Sequence, residues 1–222
     1  MTVTSLRAAG LLFDMDGVLV NSKAVIERVL QRWADRRGLD REAMLHLPHG
    51  QKTSDTVRDV APHLNLAEEV AWLDAEEERD LEGITEVRGA AKLIGALQAH
   101  EWALVTSAGR DLAAMRLAAA GVPLPRTIVS GESVKRGKPN PEGYLMGACM
   151  LGRSPADCVV LEDAPAGIAA GLAAGMRVIG VATTYDRVRL EPLGCSAIVS
   201  TLSDITVARR GGDASFTLDI AD

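Results

Sequence analysis

The chain has 222 residues, 47% of them apolar, 24% charged and 3% aromatic, the composition of a globular protein whose core rests on Leu, Val, Ile, Ala and Met rather than on rings. The net charge of -6 argues against a general nucleic-acid binder, which needs a basic face. It leaves room for an anionic substrate, because a metal ion and one or two Lys set the local field.

The N-terminus carries one Arg and a mildly apolar stretch that Asp14 and Asp16 interrupt, so it reads poorly as a signal peptide. No run approaches the ~20 apolar residues of a membrane span. Leu11–Phe13 is a short apolar strand that delivers Asp14 and Asp16, with Gly17 after them. Ser22–Arg37 has Val25, Ile26, Val29, Leu30 and Trp33 at helical spacing, and Gly38 is a plausible stop. A polar loop over Leu45–Thr53 follows. Thr53 or Ser54 is expected to cap a helix through Val60, with Pro62 beyond it. The next helix, Leu66–Leu81, sets Val70, Leu73 and Leu81 against a Glu run expected to be a solvated face. Residues 20–84 thus read as all-helical.

The character changes near Glu86–Gly89. Helices are expected over Ala90–Ala99, Asp111–Ala120, Pro141–Leu151 and Pro165–Ala174. Strands are expected over Trp102–Ser107, Arg126–Ser130, Cys158–Asp163, Arg177–Ala182 and Ala197–Ser200. This alternation predicts a parallel α/β sheet. The tail, Arg209–Asp222, holds a Gly-Gly and a terminal strand at Ser215–Leu218. The cysteines Cys149, Cys158 and Cys195 are dispersed and odd in number, which points to reduced thiols and a cytoplasmic protein.

Two carboxylates in an apolar context need compensation. The Asp-x-Asp-Gly segment reads as a turn, as part of a cation site, or as a nucleophile beside an acid/base group. An EF-hand continuation is disfavoured, because Val18-Leu19-Val20 supplies no oxygen ligands. Four strands end in polar residues: Asp14/Asp16, Thr106/Ser107, Ser130/Gly131 and Glu162/Asp163. In open α/β sheets ligands bind beyond the carboxyl ends of strands, so these groups are expected to converge.

Asp14-Met15-Asp16-Gly17-Val18-Leu19-Val20, Thr106-Ser107, Gly137-Lys138-Pro139 and Glu162-Asp163 resemble, in order, the four motifs of the haloacid dehalogenase superfamily. The likeness covers nearly the whole chain. It implies a Rossmann-like parallel-sheet core of residues 1–19 and 87–222 with an inserted all-helical cap of residues 20–86. His49–Thr53, Lys135–Lys138 and Leu161–Ala170 resemble the branch that hydrolyses sugar, polyol and glycerol phosphates.

The resemblance implies Asp14 as nucleophile, Asp16 as proton donor and acceptor, and Lys138 as the neutralising cation. It implies substrate contacts from Thr106 and Ser107. His49 and Lys52 of the cap are candidates for further contacts, and Arg110 and Asn140 are candidate contributors. Mg²⁺ is expected on the Asp14 carboxylate, the Asp16 carbonyl and Asp163, with Glu162 outside the first sphere. Asn21 stands where many relatives have Asp, and Val18 where Thr is common; neither departure is expected to alter the reaction. His46, His63 and His100 are expected to be structural or exposed.

The expected activity is that of a Mg²⁺-dependent phosphatase acting on a small sugar or polyol phosphate, a monomer without nucleic-acid or membrane partners. A phosphosugar mutase similar to β-phosphoglucomutase is the alternative. It would need a second, basic phosphate site in the cap, where Lys52 and Arg58 are available. A non-catalytic metabolite-binding module is the reading outside enzymology.

Overall fold

The computed structural model describes residues 3–208 and 215–221. The chain runs through β1 (Val3–Ala8), β2 (Gly10–Phe13) and β3 (Val20–Asn21). It then enters four helices, α1 (Lys23–Arg37), α2 (Arg41–Leu45), α3 (Thr53–Val60) and α4 (Leu66–Arg79). It returns at β4 (Thr85–Glu86) and alternates through α5 (Ala90–Gly95), β5 (Trp102–Val105), α6 (Arg110–Ala119), β6 (Ile128–Val129), α7 (Glu142–Met150), β7 (Cys158–Glu162), α8 (Pro165–Ala173), β8 (Arg177–Val181), α9 (Arg187–Leu190) and β9 (Ala197–Val199). β10 (Ile205–Ala208) and β11 (Phe216–Ala221) follow.

Strands β2, β5 and β7 are buried along their whole length, as strands covered on both faces must be. They belong to a six-stranded parallel sheet of order β6-β5-β2-β7-β8-β9. Renumbered within the sheet, the order is 3-2-1-4-5-6, so the topology reverses at β2. Alternation sends Leu11 and Phe13 into one core layer, with Leu104, Leu117 and Leu161, and Leu12 into the other, with Ala148 and Ile168. The first layer is closed by an antiparallel sheet β1-β11-β10, which supplies Ala8, Phe216, Leu218 and Ile220.

The helices α1–α4 have a core of their own, built on Val29, Trp33, Ala34, Met44, Val57, Ala61 and Leu73. These four helices lie between β3 and β4, within the stretch expected from the sequence to be an inserted cap. Its two connections to the sheet domain run side by side, where Val20–Asn21 pairs with Thr85–Glu86. Gly38 ends α1 with φ 65°, a left-handed conformation glycine adopts without strain.

Several local expectations need correction. The loop before α3 is preceded by a short helix, α2, capped by Asp40. Neither Thr53 nor Ser54 caps α3: Lys52 occupies that position without a side-chain bond, and Thr53 Oγ1 is drawn to Asp74 at 3.1 Å. α4 stops at Arg79 rather than Leu81, and the following Asp80 pairs with Arg28 and Arg32 of α1.

The Glu run is not uniformly solvated. Glu69 is buried, accepts from Trp33 Nε1 at 2.7 Å and pairs with Arg37; Glu77 faces the core domain. α5 ends at Gly95 rather than Ala99, where Gln98 N donates to the Glu101 carboxylate at 2.7 Å. β6 forms a ladder over two residues only, as the sheet's edge strand. The terminal strand begins at Phe216 and runs to Ala221. The Gly-Gly of the tail lies outside the described residues.

Candidate active site

The reversal point at β2 is where the chemistry-bearing residues meet. β2 ends at Phe13, and Asp14 N donates to Leu161 O of the neighbouring β7 at 3.1 Å. The chain then folds into a tight turn in which Met15 O accepts from the amides of Val18, Leu19 and Val20. Met15 is wholly buried, while Asp14 and Asp16 both line one cavity between sheet and cap. Gly17, between the turn and β7, has φ 80°, and a Cβ there would collide with the Asp163 carboxylate and Thr184 Oγ1. Glycine is needed there for its backbone and for the close approach.

Asp14, Lys138, Glu162 and Asp163 form the buried centre. Lys138 Nζ lies 2.7 Å from Asp14 Oδ1 and 2.6 Å from Glu162 Oε1, with the Tyr144 ring centroid 5.4 Å away. Burial acts to lower the Lys138 pKa, but Asp14 and Glu162 outweigh it and hold the ammonium charged. Burial raises Asp14 to about 7, against the pull of Lys138. Burial and the neighbouring Glu162 and Asp14 push Asp163 well above the usual carboxylate range. Three buried carboxylates thus face one buried lysine, a charge balance that calls for a further cation.

The donor set fits a hard divalent ion. Carboxylate oxygens of Asp14, Glu162 and Asp163 lie within 4.8 Å of one another, and the buried Asp163 Oδ1 has no hydrogen-bond partner among the described residues. Glu162 is already engaged. Its Oε1 accepts from Tyr144 Oη at 2.7 Å and contacts Lys138; its Oε2 accepts from the amides of Asp163 and Ala164. Gly167 on α8 leaves room for this carboxylate, since a Cβ there would overlap it. Glu162 therefore positions Lys138 and the start of α8, and Asp163 offers the free oxygen.

Thr106 is buried just past β5, and its Oγ1 accepts from Ala108 N at 3.1 Å, which leaves the hydroxyl hydrogen to donate. Ser107 lines the cavity, but its hydroxyl donates to Gly50 O of the cap at 2.7 Å. Its amide, not its hydroxyl, remains for an anion. His49 also lines the cavity, edge-on to Tyr185 with centroids 6.1 Å apart. Burial first, and Lys23 second, lower its pKa, which favours the neutral imidazole.

Lys52 is not brought to this cavity. Its Nζ donates to Val134 O at 2.7 Å, and its stem packs against Gly137. Arg110 is exposed, and Asn140 caps the start of α7 through Glu142 N at 3.1 Å. His46, His63 and His100 are exposed.

Sequence reading did not single out Tyr144, Thr184, Glu77 or Arg116. The last two had a detectable signal. Arg116 interrupts the buried stripe Leu112, Ala113, Leu117 of α6, and Glu77 follows Leu73 by one turn on α4. A charge inside an apolar stripe requires a partner across the interface.

A 3-2-1-4-5-6 parallel sheet with paired aspartates at its reversal point, a buried lysine and a helical insertion defines a class of α/β hydrolytic enzyme. The chain belongs to the haloacid dehalogenase-like hydrolase family, whose model matches residues 11–181. It is 40% identical over 210 residues to hexitol phosphatase A of Escherichia coli (strain K12), covering 92% of this chain and 96% of that protein. It is 38% identical to glycerol-1-phosphate phosphohydrolase 1 of Saccharomyces cerevisiae, covering 94% and 88%. The solved structure of a hydrolase from Pseudomonas syringae has the same fold, with TM-score 0.79 and 24% identity over 87% of this chain and 94% of that one.

Proposed function

We propose that this protein is a Mg²⁺-dependent phosphatase of small sugar or polyol phosphates, with residues 20–86 as the cap that encloses the substrate. The observation that carries the reading is the buried Asp14–Lys138–Glu162 cluster beside the unpartnered oxygen of Asp163, opening into the cavity that Asp16 lines. The relatives named above are phosphatases of a hexitol phosphate and a glycerol phosphate by name.

An oxygen of Asp14 attacks phosphorus, and the bond from phosphorus to the substrate oxygen breaks. Asp16 gives its proton to the departing alkoxide. A water then attacks the aspartyl phosphate, Asp16 takes the water's proton, and the bond from phosphorus to Asp14 breaks. Thr106 and the Ser107 amide hold the phosphoryl oxygens, and Lys138 neutralises charge on Asp14 and the phosphoryl group. Asp14, Asp163 and the Asp16 carbonyl would hold Mg²⁺, which supplies charge neutralisation and orientation at the phosphoryl group. On the cap side, Ile26, Leu30 and Leu73 shape the cavity, and His49, Gln51, Thr53 and Thr56 face it with polar groups suited to substrate hydroxyls.

The hydrolase is favoured over a mutase because the cap's candidate cations are committed elsewhere, Lys52 to Val134 O and Arg58 to Asp55 at 2.8 Å. The three cysteines are free, in keeping with the cytoplasm. No helix among the described residues is long and apolar enough to cross a membrane.

The test is phosphate release from hexitol, sugar and glycerol phosphates in Mg²⁺ and in EDTA. Release from polyol phosphates that EDTA abolishes is expected. Isomerised sugar phosphate with little free phosphate would favour the mutase, and no turnover of any of them would refute the enzyme reading.

A further inference from the structure

Arg116 is the one long cation among the largest fully buried side chains of the described residues, and nothing in the reaction outlined above uses it. It stands on α6 of the sheet domain, on the face that packs against α4 of the cap. Its Nη1 donates to Asp16 Oδ1 at 2.9 Å, and its Nη2 lies 3.3 Å from Glu77 Oε2 of α4. Ser22 Oγ donates to the same Asp16 Oδ1 at 2.6 Å. Both bonds fall on one oxygen of Asp16, and among the described residues no hydrogen bond falls on Oδ2, the oxygen placed to carry the transferred proton. Arg116 and Glu77 both line the substrate cavity.

We propose that Arg116 is a positioning residue for Asp16, and that its contact with Glu77 makes the acid's placement depend on the seating of α4. The inference rests on the phosphatase reading and goes beyond it. A guanidinium suits the role because it presents several N–H groups in a fixed plane and stays charged when buried, so one group serves acids on two domains. Ser22 sits at the root of the cap, at the N-cap of α1, and Glu77 near the end of α4. Asp16 is therefore held from the sheet domain by Arg116 and from the cap's entry by Ser22. Displacing α4 removes the counter-charge that sets where the guanidinium rests.

The consequence is read in the first half of the reaction, where Asp16 acts as an acid. An alkyl leaving group such as a hexitol or glycerol alkoxide needs a proton as it departs, whereas p-nitrophenolate does not. The readout is kcat/KM, which covers the steps through departure of the leaving group and excludes the later hydrolysis, where Asp16 acts as base for both substrates. Arg116→Met is expected to lower kcat/KM for a hexitol phosphate by about 10- to 100-fold, part of the usual contribution of general acid catalysis. The same variant should change kcat/KM for p-nitrophenyl phosphate by less than about threefold, since nucleophile, lysine and cation site are untouched. Arg116→Lys, which keeps one donor and the charge, should recover part of the alkyl-phosphate rate. Glu77→Gln should show the same selectivity to a smaller extent.

The experiment compares both substrates for the wild type and the three variants at saturating Mg²⁺. Thermal melts accompany it, and Arg116→Lys and Glu77→Gln carry the comparison if Arg116→Met does not fold. Selective loss on the alkyl phosphate supports the proposal. Equal loss on both substrates means a merely structural residue or a phosphate ligand, and no loss means an idle one; either result overturns it. A wild type that hydrolyses neither substrate refutes the phosphatase reading before any variant is compared.

Discussion

At the scale of single residues, the site is a balance of buried charge. Lys138 sits between Asp14 and Glu162, and all three are buried, so removing the ammonium leaves two carboxylates facing each other out of water. Lys138→Met is expected to destabilise the protein by about 3 kcal/mol in EDTA, within the range for breaking a buried pair from one side. Urea unfolding at pH 7 measures this. Gly17→Ala is expected to abolish turnover with a smaller effect on the melting temperature, because the added methyl strikes the Asp163 carboxylate and the backbone there has φ 80°. Phosphate release and a thermal melt on the same preparation separate the two effects.

The convergence of the candidate site residues was legible in the sequence where a strand delivered them. Asp14, Thr106 and Asp163 each stand at or just past the end of a continuous apolar run, and a parallel sheet brings such ends together. Lys138 was legible through its motif alone, since nothing local marks it as buried. Tyr144 was not legible: its hydroxyl has meaning only once α7 packs over β2 and β5 and meets Glu162 at the end of β7. Lys52 read as a cap cation and instead ties the cap to Val134, a pairing set by tertiary contact.

At the scale of elements, α1 and α4 are held together by their own charges as well as by Trp33 and Leu73. Asp80, just past the end of α4, meets Arg28 at 2.7 Å and Arg32 at 3.0 Å, and these partners lower its pKa to about 2. An acid whose folded pKa is depressed stabilises the fold above its unfolded value. That contribution is full above about pH 4 and fades as the pH falls toward 2. Arg28 and Arg32 are 44% and 41% exposed, so solvent screens the interaction, and about 1 kcal/mol is a reasonable scale for it. Asp80→Asn should therefore melt a few degrees below the wild type at pH 7, and the gap should narrow as the pH approaches 2. A gap independent of pH would assign the loss to packing.

The types of the longer helices and of the central strands followed from periodicity, but their ends did not. α4 ends where Asp80 turns to α1, and α5 ends where Glu101 takes the amide of Gln98. In both cases a side chain distant from the helical pattern decided the boundary. β1 went unread because its sequence alternates weakly, and it is fixed by pairing with β11 at the far end of the chain.

At the scale of the whole molecule, a helical insertion with its own core sits over the reversal point of a parallel sheet. Polar contacts join the two parts around the cavity, among them Ser107 Oγ to Gly50 O, Lys52 Nζ to Val134 O, His49 N to Tyr185 Oη, Ser22 Oγ to Asp16 Oδ1, and Arg116 to Glu77. On the proposed reading, such contacts would hold the cap over the substrate and keep bulk water from the aspartyl phosphate. Lys52→Met is expected to raise KM for a hexitol phosphate several-fold with a smaller change in kcat, because it weakens closure without touching the reacting groups. Steady-state kinetics check this, and a change confined to kcat would contradict it.

The most direct test of the account is to find the phosphoryl group on the enzyme. The wild type and Asp14→Asn are mixed with a hexitol phosphate labelled at phosphorus, in Mg²⁺, and quenched in acid within the first turnovers. The account predicts label bound to the wild-type protein, released by hydroxylamine as an acyl phosphate is, mapping to residue 14 and absent from Asp14→Asn. Phosphate release without protein-bound label, or label on a residue other than Asp14, would contradict it.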